Sequence, residues 1–211
     1  MIRAVIFDMD GVLIDAKEWH YEALNRALGH YGYFIPRCEH ETIYDGLPTK
    51  KKLQMLHQRA GLPLEHADVI NQLKQRYTIE MAQERCKPTQ QHINALSTLK
   101  LMGYRLGVAS NSIRQTVNLM MQQSGLERFL DFQLSNEDVK KAKPDPEIYH
   151  KAIWHLQLTP EQCLVVEDNE NGIRAARAAG AHVYVVRDVY DVTFNNLSAQ
   201  IRKAAALRQA A

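Results

Sequence analysis

The stretch Arg3–Asp15, RAVIFDMDGVLID, decides the fold expected for this chain. Its first part, Ala4 to Phe7, is a short apolar and partly β-branched run that is typical of a strand buried on both faces of a parallel sheet. Asp8 and Asp10 follow at the carboxyl end of this strand, the edge at which ligands bind in open α/β sheets. Because residues i and i+2 of an extended chain point to the same side, both carboxylates can face one reacting atom.

The acidic pair alone leaves two interpretations open, because carboxylates after a strand also cap the following helix or bind solvent. Later segments of the chain favour chemistry, since they too end in polar groups suited to a phosphate and a metal. Leu106 to Ala109 leads into Ser110-Asn111-Ser112, Lys143-Pro144-Asp145-Pro146 precedes a helix, and Cys163 to Val166 leads into Glu167-Asp168-Asn169.

The spacing of apolar residues divides the chain into two parts. Between residues 16 and 85 apolar residues recur at helical intervals, which predicts an all-helical segment. In it we expect Thr49 to cap a helix and Val69 to face inward from another. From Pro88 onward helices and strands alternate, a pattern that favours crossover connections and a parallel sheet.

Two further local predictions concern the second part of the chain. Ser112 is expected to cap the helix that follows the strand ending at Ala109. Residues from about Asn196 to Ala211 are rich in alanine and are expected to form a final helix that frays at its end.

Taken in order, the four polar motifs resemble those of the haloacid dehalogenase superfamily of phosphotransferases, within the group that contains β-phosphoglucomutase and many small sugar-phosphate phosphatases. The resemblance spans nearly the whole chain. It implies an α/β fold, a Rossmann-like doubly wound parallel sheet core with an inserted all-helical cap domain. Residues 1–15 and 86–211 would form the core domain and residues 16–85 the cap.

The resemblance also implies roles for the core residues. Asp8 would attack phosphorus and form an aspartyl-phosphate, which suits a carboxylate that is ionised at neutral pH. Asp10 would protonate the leaving alcohol, and its pKa is expected to be pushed upward by the negative charge of Asp8 and the substrate. Mg²⁺ would be held by Asp8, Asp168 and the backbone carbonyl of Asp10, with Glu167 acting through water.

The phosphoryl group would be bound by three residues from the later motifs. Ser110 offers a hydroxyl, Asn111 a backbone N–H near a helix start, and Lys143 a point cation. From the residues alone, Ser110 is equally well a helix cap and Lys143, beside Lys140 and Lys141, a solvated surface residue.

The helical segment would act as a lid that selects the substrate and excludes water. Its loop Gly46-Leu47-Pro48-Thr49 is expected to face the site, and His20 and Lys74 are candidates for contacting the leaving group. An alternative interpretation of His20 is a residue on the surface of a helix. The run Lys50 to Lys52 is interpreted as a solvated face. Thr49 stands where β-phosphoglucomutases carry a phosphate-binding arginine, which disfavours a mutase.

Composition excludes several classes of function. Apolar residues make up 45% and charged residues 24% of the 211 residues, and the net charge of +2 gives no argument for nucleic-acid binding. The cysteines Cys38, Cys86 and Cys163 are widely spaced, which indicates neither a disulfide framework nor a zinc site. The chain begins with a strand and contains no long apolar run, so we expect a cytoplasmic protein with no membrane partner. Nothing in the sequence indicates its oligomeric state.

The sequence therefore predicts a Mg²⁺-dependent phosphatase that acts on a small phosphorylated metabolite, a sugar phosphate above all. Two alternatives stay open: a phosphomutase, in which a second substrate hydroxyl receives the phosphoryl group, and a non-catalytic sensor of phosphate or metal. A dehalogenase is disfavoured because Asp10 has no task in halide displacement.

Overall fold

The computed structural model describes residues 1–207, and a five-stranded parallel sheet forms its centre. The strands are β1 (Ala4–Phe7), β2 (Arg105–Ala109), β3 (Phe132–Leu134), β4 (Cys163–Glu167) and β5 (His182–Val185). Their spatial order is β3-β2-β1-β4-β5, so the order reverses between β1 and β4. Ligands bind at such reversals in open α/β sheets, and Asp8 and Asp168 follow these two strands.

Helices cover both faces of this sheet, and alternate residues of β1 pack into two different cores. Val5 and Phe7 belong to one cluster of buried apolar side chains, whereas Ala4 and Ile6 belong to the other. A strand buried on both faces is the arrangement expected of a doubly wound sheet, and the predicted fold class is confirmed. The helices are α1 (Lys17–Gly29), α2 (Arg37–Glu39), α3 (Thr49–Ala60), α4 (Ala67–Arg85), α5 (Gln90–Leu101), α6 (Arg114–Gln123), α7 (Glu147–His155), α8 (Glu170–Ala178) and α9 (Phe194–Leu207).

The segment between β1 and β2 in the chain is helical and has a core of its own. Its buried apolar side chains come from α1, α3, α4 and the loops between them, and include Leu24, Leu28, Leu53 and Ile70. We call residues 16–85 the cap segment. The limits of the two domains stay a prediction.

Three local predictions are wrong. Pro48 precedes α3 and Thr49 is its first residue, with no side-chain cap. Val69 is 45% exposed on the outer side of α4. Ser112 caps nothing, since α6 begins two residues later and the Ser112 hydroxyl bonds elsewhere. The predicted final helix is present as Phe194–Leu207, and residues 208–211 lie outside the described chain.

No helix within residues 1–207 combines the length and the apolar character needed to cross a membrane.

Candidate active site

A cavity of about 660 Å³ opens where the carboxyl edge of the sheet meets the cap segment. Its size lies within the range usual for small-molecule sites. Asp8, Ser110, Lys143 and Asp168 line it from the sheet side. The cap segment contributes a second set of lining residues: His20, His40, Gly46, Thr49, Lys52 and Lys74. Every residue that the sequence placed in the site, including Asp10, Asn111 and Glu167, therefore lines one cavity.

Lys143 is the centre of the charge network on the sheet side. Its side chain is 3% exposed, and its ammonium lies 2.6 Å from Asp8 Oδ1 and 2.7 Å from Glu167 Oε1. It also donates to the carbonyl of Ala109 at the end of β2, at 2.8 Å. Burial alone would lower the pKa of Lys143, but the two carboxylates outweigh burial and raise it. Lys143 is thus a permanently charged, fully bonded ammonium, and the interpretation as a solvated surface residue is wrong.

Asp8 is crowded by negative charge. Burial raises the pKa of Asp8; Lys143 opposes this shift, while Glu167, Asp168 and Asp10 add to it. A cluster with this balance favours the binding of further positive charge.

Tyr149 supports Glu167, a role that sequence reasoning missed because no local pattern marks this residue. Its hydroxyl donates to Glu167 Oε1 at 2.5 Å, and Lys143 Nζ lies 4.9 Å from the centre of its ring. Gly172 leaves room for the same carboxylate, because a Cβ there would lie 1.8 Å from Glu167 Oε1. Glu167 is therefore fixed by a cation, a phenol and a close backbone.

Asp168 offers an oxygen that the described protein does not satisfy. Its Oδ1 is buried without a hydrogen-bond partner among residues 1–207, while Oδ2 lies 2.5 Å from the ammonium of Lys17. Burial raises the pKa of Asp168 to about 6, against the opposing effect of Lys17. Gly11, with φ of +87°, provides the space, because a Cβ there would lie 2.2 Å from Asp168 Oδ2.

The three carboxylates fit a hard divalent cation. One oxygen each of Asp8, Glu167 and Asp168 lies within 4.8 Å of the other two. Oxygen ligands from carboxylates are the set that Mg²⁺ prefers, and the unpartnered Asp168 oxygen supplies an open donor. The backbone carbonyl of Asp10, expected from the resemblance, stays a prediction.

Asp10 is held by residues from both sides of the cavity. His20 Nε2 lies 2.9 Å from Asp10 Oδ1, and the Ser112 hydroxyl donates to Asp10 Oδ2 at 2.8 Å. Lys74 Nζ in turn lies 2.9 Å from His20 Nδ1. Burial raises the pKa of Asp10, but the charge and hydrogen bond of His20, with help from Ser112 and Lys74, hold it below its ordinary value. The expected upward shift is wrong in this structure, and so is the interpretation of His20 as a helix surface residue.

Ser110 and Asn111 stand at the end of β2, where the sequence placed them. Ser110 is 1% exposed, and its hydroxyl accepts from the backbone N–H of Ser112 at 3.0 Å. The Asn111 side chain accepts from the backbone N–H of Lys143 at 3.1 Å and donates to the carbonyl of Gly46 at 3.2 Å. Asn111 therefore joins the core to the cap segment as well as lining the cavity.

The loop Gly46-Leu47-Pro48-Thr49 lines the cavity, as expected. Gly46 has φ of +68°, and a Cβ there would lie 2.2 Å from Asn169 Oδ1, so the loop packs closely on the start of α8. Asn169 caps α8 through the backbone N–H of Asn171 and donates to Asp45 Oδ2 at 2.8 Å.

The run Lys50 to Lys52 is not a solvated face throughout. Lys50 and Lys51 are exposed, whereas Lys52 is buried with 8% exposure. Its ammonium lies 3.3 Å from His40 Nε2, and both residues line the cavity. The position of Lys52 three residues after Thr49, on the same side of α3, is the sequence signal that could have identified it.

Comparisons with known proteins agree on the type of fold and family. The model of the haloacid dehalogenase-like hydrolases matches residues 5–186. The phosphorylated carbohydrates phosphatase of Thermotoga maritima is 32% identical over 182 residues, which cover 85% of this chain and 82% of that protein.

Solved structures extend the likeness to three dimensions. CbbY from Rhodobacter sphaeroides, in complex with phosphate, superposes with a TM-score of 0.78 at 26% identity, covering 88% of this chain and 86% of that one. β-Phosphoglucomutase from Clostridium difficile superposes with a TM-score of 0.84 over 98% of this chain and 100% of that one. Its identity of 22% makes this a likeness of fold alone.

Proposed function

The chain belongs to the haloacid dehalogenase-like hydrolase family and is an enzyme of the phosphatase type, and we propose that it is a Mg²⁺-dependent phosphatase that hydrolyses a small phosphorylated carbohydrate through an aspartyl-phosphate. One observation carries the proposal. Asp8 contacts the buried ammonium of Lys143, belongs to a cluster of three carboxylates and lines the same cavity as Asp10. A sensor of phosphate has no need of the second carboxylate.

Asp8 acts as the nucleophile. One of its oxygens forms a bond to phosphorus while the bond from phosphorus to the leaving oxygen breaks, so the phosphoryl group is transferred to the carboxylate. Lys143, 2.6 Å from Asp8 Oδ1, favours the ionised carboxylate and offsets charge that accumulates on the transferring group. Ser110 and the backbone N–H of Asn111, which line the same cavity, would donate to the oxygens of this group.

Asp10 moves the protons. Protonated Asp10 gives its proton to the departing alcohol oxygen and later accepts one from the water that attacks the aspartyl-phosphate, which restores Asp8 and releases phosphate. The contacts with His20 and Ser112 favour the carboxylate, the form needed in the second step. A dianionic phosphate bound beside Asp8 adds negative charge that favours the protonated form needed in the first.

Asp8, Asp168 and Glu167 would hold Mg²⁺, which when bound neutralises charge on the phosphoryl oxygens. The assignment accounts for the unpartnered oxygen of Asp168.

A carbohydrate is supported by the chemistry of the cavity wall and by one relative. Asn71 and Gln75 of α4, with Asn111 and Asn136, give the cavity amide groups suited to hydroxyls. The relative from Thermotoga maritima carries the name phosphorylated carbohydrates phosphatase.

The test is release of inorganic phosphate from a panel of sugar phosphates, with Mg²⁺ or with EDTA, by the wild type and by Asp8→Asn. Asp15→Asn, an exposed carboxylate in the same stretch, is the matched control. We expect Mg²⁺-dependent release that Asp8→Asn abolishes and Asp15→Asn leaves intact. Equal release by Asp8→Asn would overturn the nucleophile, and transfer to a second sugar in place of water would indicate a mutase.

A further inference from the structure

Two lysines that belong to the cap segment, and not to the sheet, bring positive charge to the cavity. Lys52 belongs to α3 and Lys74 to α4, and both line the same cavity as Asp8. Lys52 is 8% exposed and contacts His40 Nε2, while Lys74 contacts His20 Nδ1. Each ammonium therefore meets a histidine ring and not a carboxylate.

Lys52 lacks the partner that a buried charge requires. Buried charges are normally paired, because taking an unpaired ammonium out of water is costly. Lys143, the buried ammonium on the sheet side, follows this rule with a carboxylate oxygen at 2.6 Å. Lys52 forms no ion pair with a carboxylate of residues 1–207, and Asp45 and Asp10 attract it only from a longer distance.

The contact with His40 leaves most of the ammonium unsatisfied. An ammonium has three donors, and the His40 ring accepts one of them. The pKa of His40 is lowered to about 4, by burial first and by Lys52 second, so the ring is neutral at pH 7 and brings no counter-charge. Two donors of Lys52 have no acceptor within the described chain.

We propose that the substrate carries a second anionic group, a phosphate or a carboxylate, on the part that leaves, and that Lys52 is the residue that binds it. The inference rests on the proposed phosphatase activity, since it places the reacting phosphate at Asp8. Asp8 and Lys52 both line the cavity, and its volume of about 660 Å³ is enough for a small sugar or acid. Lys74 adds a second positive charge to the same wall.

The electrostatics of the two lysines agree with this assignment. Burial lowers the pKa of Lys52 and of Lys74 to about 8 in each case, and the two charges lie close enough for Lys52 to lower the pKa of Lys74 further. A bound anion near both ammonium groups would offset the cost of their burial and the repulsion between them, and so raise both pKa values.

The experiment compares matched pairs of phosphate esters that differ in the second group. Fructose 1-phosphate and fructose 1,6-bisphosphate test a phosphate, and glycerol 3-phosphate and 3-phosphoglycerate test a carboxylate. kcat and KM are measured for the wild type, Lys52→Met, Lys52→Arg and, as a control, Lys51→Met, an exposed lysine of the same helix. Thermal unfolding checks that each variant is folded.

We expect the wild type to prefer at least one doubly anionic ester. In Lys52→Met the KM for that ester should rise about 10-fold to 100-fold, because a hydrogen bond to a charged group is lost. Lys52→Arg should recover part of the loss, and the partner ester should change little. The pair that responds identifies phosphate or carboxylate. Equal kcat/KM within both pairs, or a loss in Lys52→Met that affects both members alike, overturns the inference.

A second experiment separates failure of the phosphatase proposal from failure of the anion site. If no ester is hydrolysed, binding of the four esters to wild type and Lys52→Met is measured by calorimetry. Tighter binding of a doubly anionic ester that depends on Lys52 would support the anion site without the phosphatase, and binding that is equal or not detected would overturn the site as well.

Discussion

The hydroxyl of Ser112 donates a 2.8 Å hydrogen bond to Asp10 Oδ2, which joins two residues 102 positions apart in the chain. His20 holds the other oxygen of the same carboxylate. The proposed acid and base is thus oriented from the core by Ser112 and from the cap segment by His20, so its position depends on both parts of the structure.

Replacing Ser112 by alanine should impair turnover more than binding. Without the hydroxyl, Asp10 Oδ2 loses a donor and the carboxyl can rotate, and a small misplacement of a proton-transfer group lowers kcat by about 10-fold with little change in KM. Steady-state kinetics measure this. Ser112→Thr keeps a hydroxyl and should retain most activity. Ser97→Ala, which removes a half-buried hydroxyl that donates to the carbonyl of Asn94 within α5, is the control. Equal kcat in Ser112→Ala and wild type would contradict the positioning role.

Replacing Lys143 by methionine should destabilise the fold as well as abolish turnover. The carboxylates of Asp8 and Glu167 would remain buried without their ammonium, which costs about 3–5 kcal/mol in the free energy of unfolding at pH 7. Adding Glu167→Gln should restore part of that loss, because one of the unpaired charges is removed. Urea unfolding measures both changes. Lys140→Met, an exposed neighbour, should have no effect, and a stable Lys143→Met protein would show that the network carries little energy.

The polar residues at the strand ends could be predicted from the sequence, because all strands of a parallel sheet have their carboxyl ends at the same edge, in whatever order the strands lie. Asp8, Ser110 and Asp168 follow from that rule. The rule does not reach contacts between distant elements. Ser112 looks like a helix cap until Asp10 is placed beside it, and Lys52 looks like a solvated lysine until α3 packs against His40. Burial of a charge is set by tertiary packing, which local patterns do not contain.

Removing the hydroxyl of Tyr149 should weaken the support of Glu167. In Tyr149→Phe, Glu167 Oε1 keeps Lys143 but loses its phenol donor, a loss of about 1–3 kcal/mol for a buried acceptor. Such supporting contacts also affect activity, and kcat should fall by about 10-fold. Tyr190→Phe is the control, since Tyr190 is 72% exposed. If both variants unfold at the same urea concentration as wild type, the short hydrogen bond contributes nothing to stability.

Lys52 should make stability increase with pH in the alkaline range. Its pKa in the folded protein is about 8, below the ordinary 10.5, so between these values the unfolded chain binds more protons and stability rises with pH. Lys74, whose pKa is shifted in the same direction, adds to the slope, whereas His40 and Asp10, whose pKa values are both lowered, do not titrate in this range. The free energy of unfolding, measured by urea from pH 7.5 to 10, should therefore rise more steeply in the wild type than in Lys52→Met. Equal slopes would mean that folding does not lower the pKa of Lys52.

Mg²⁺ should stabilise the wild type and fail to stabilise Asp168→Asn. A ligand that binds only the folded state raises the melting temperature, and Asp168 supplies the unpartnered buried oxygen of the proposed site. Lys17→Met removes the ammonium that lies 2.5 Å from Asp168 Oδ2, so this variant should bind Mg²⁺ more tightly than wild type. Calorimetric titration and thermal unfolding read out both effects without turnover. Asp68→Asn, an exposed carboxylate on α4, controls for surface charge. Equal Mg²⁺ stabilisation in Asp168→Asn would place the cation elsewhere, whereas tighter binding in Lys17→Met alone would identify the lysine as its competitor at this carboxylate.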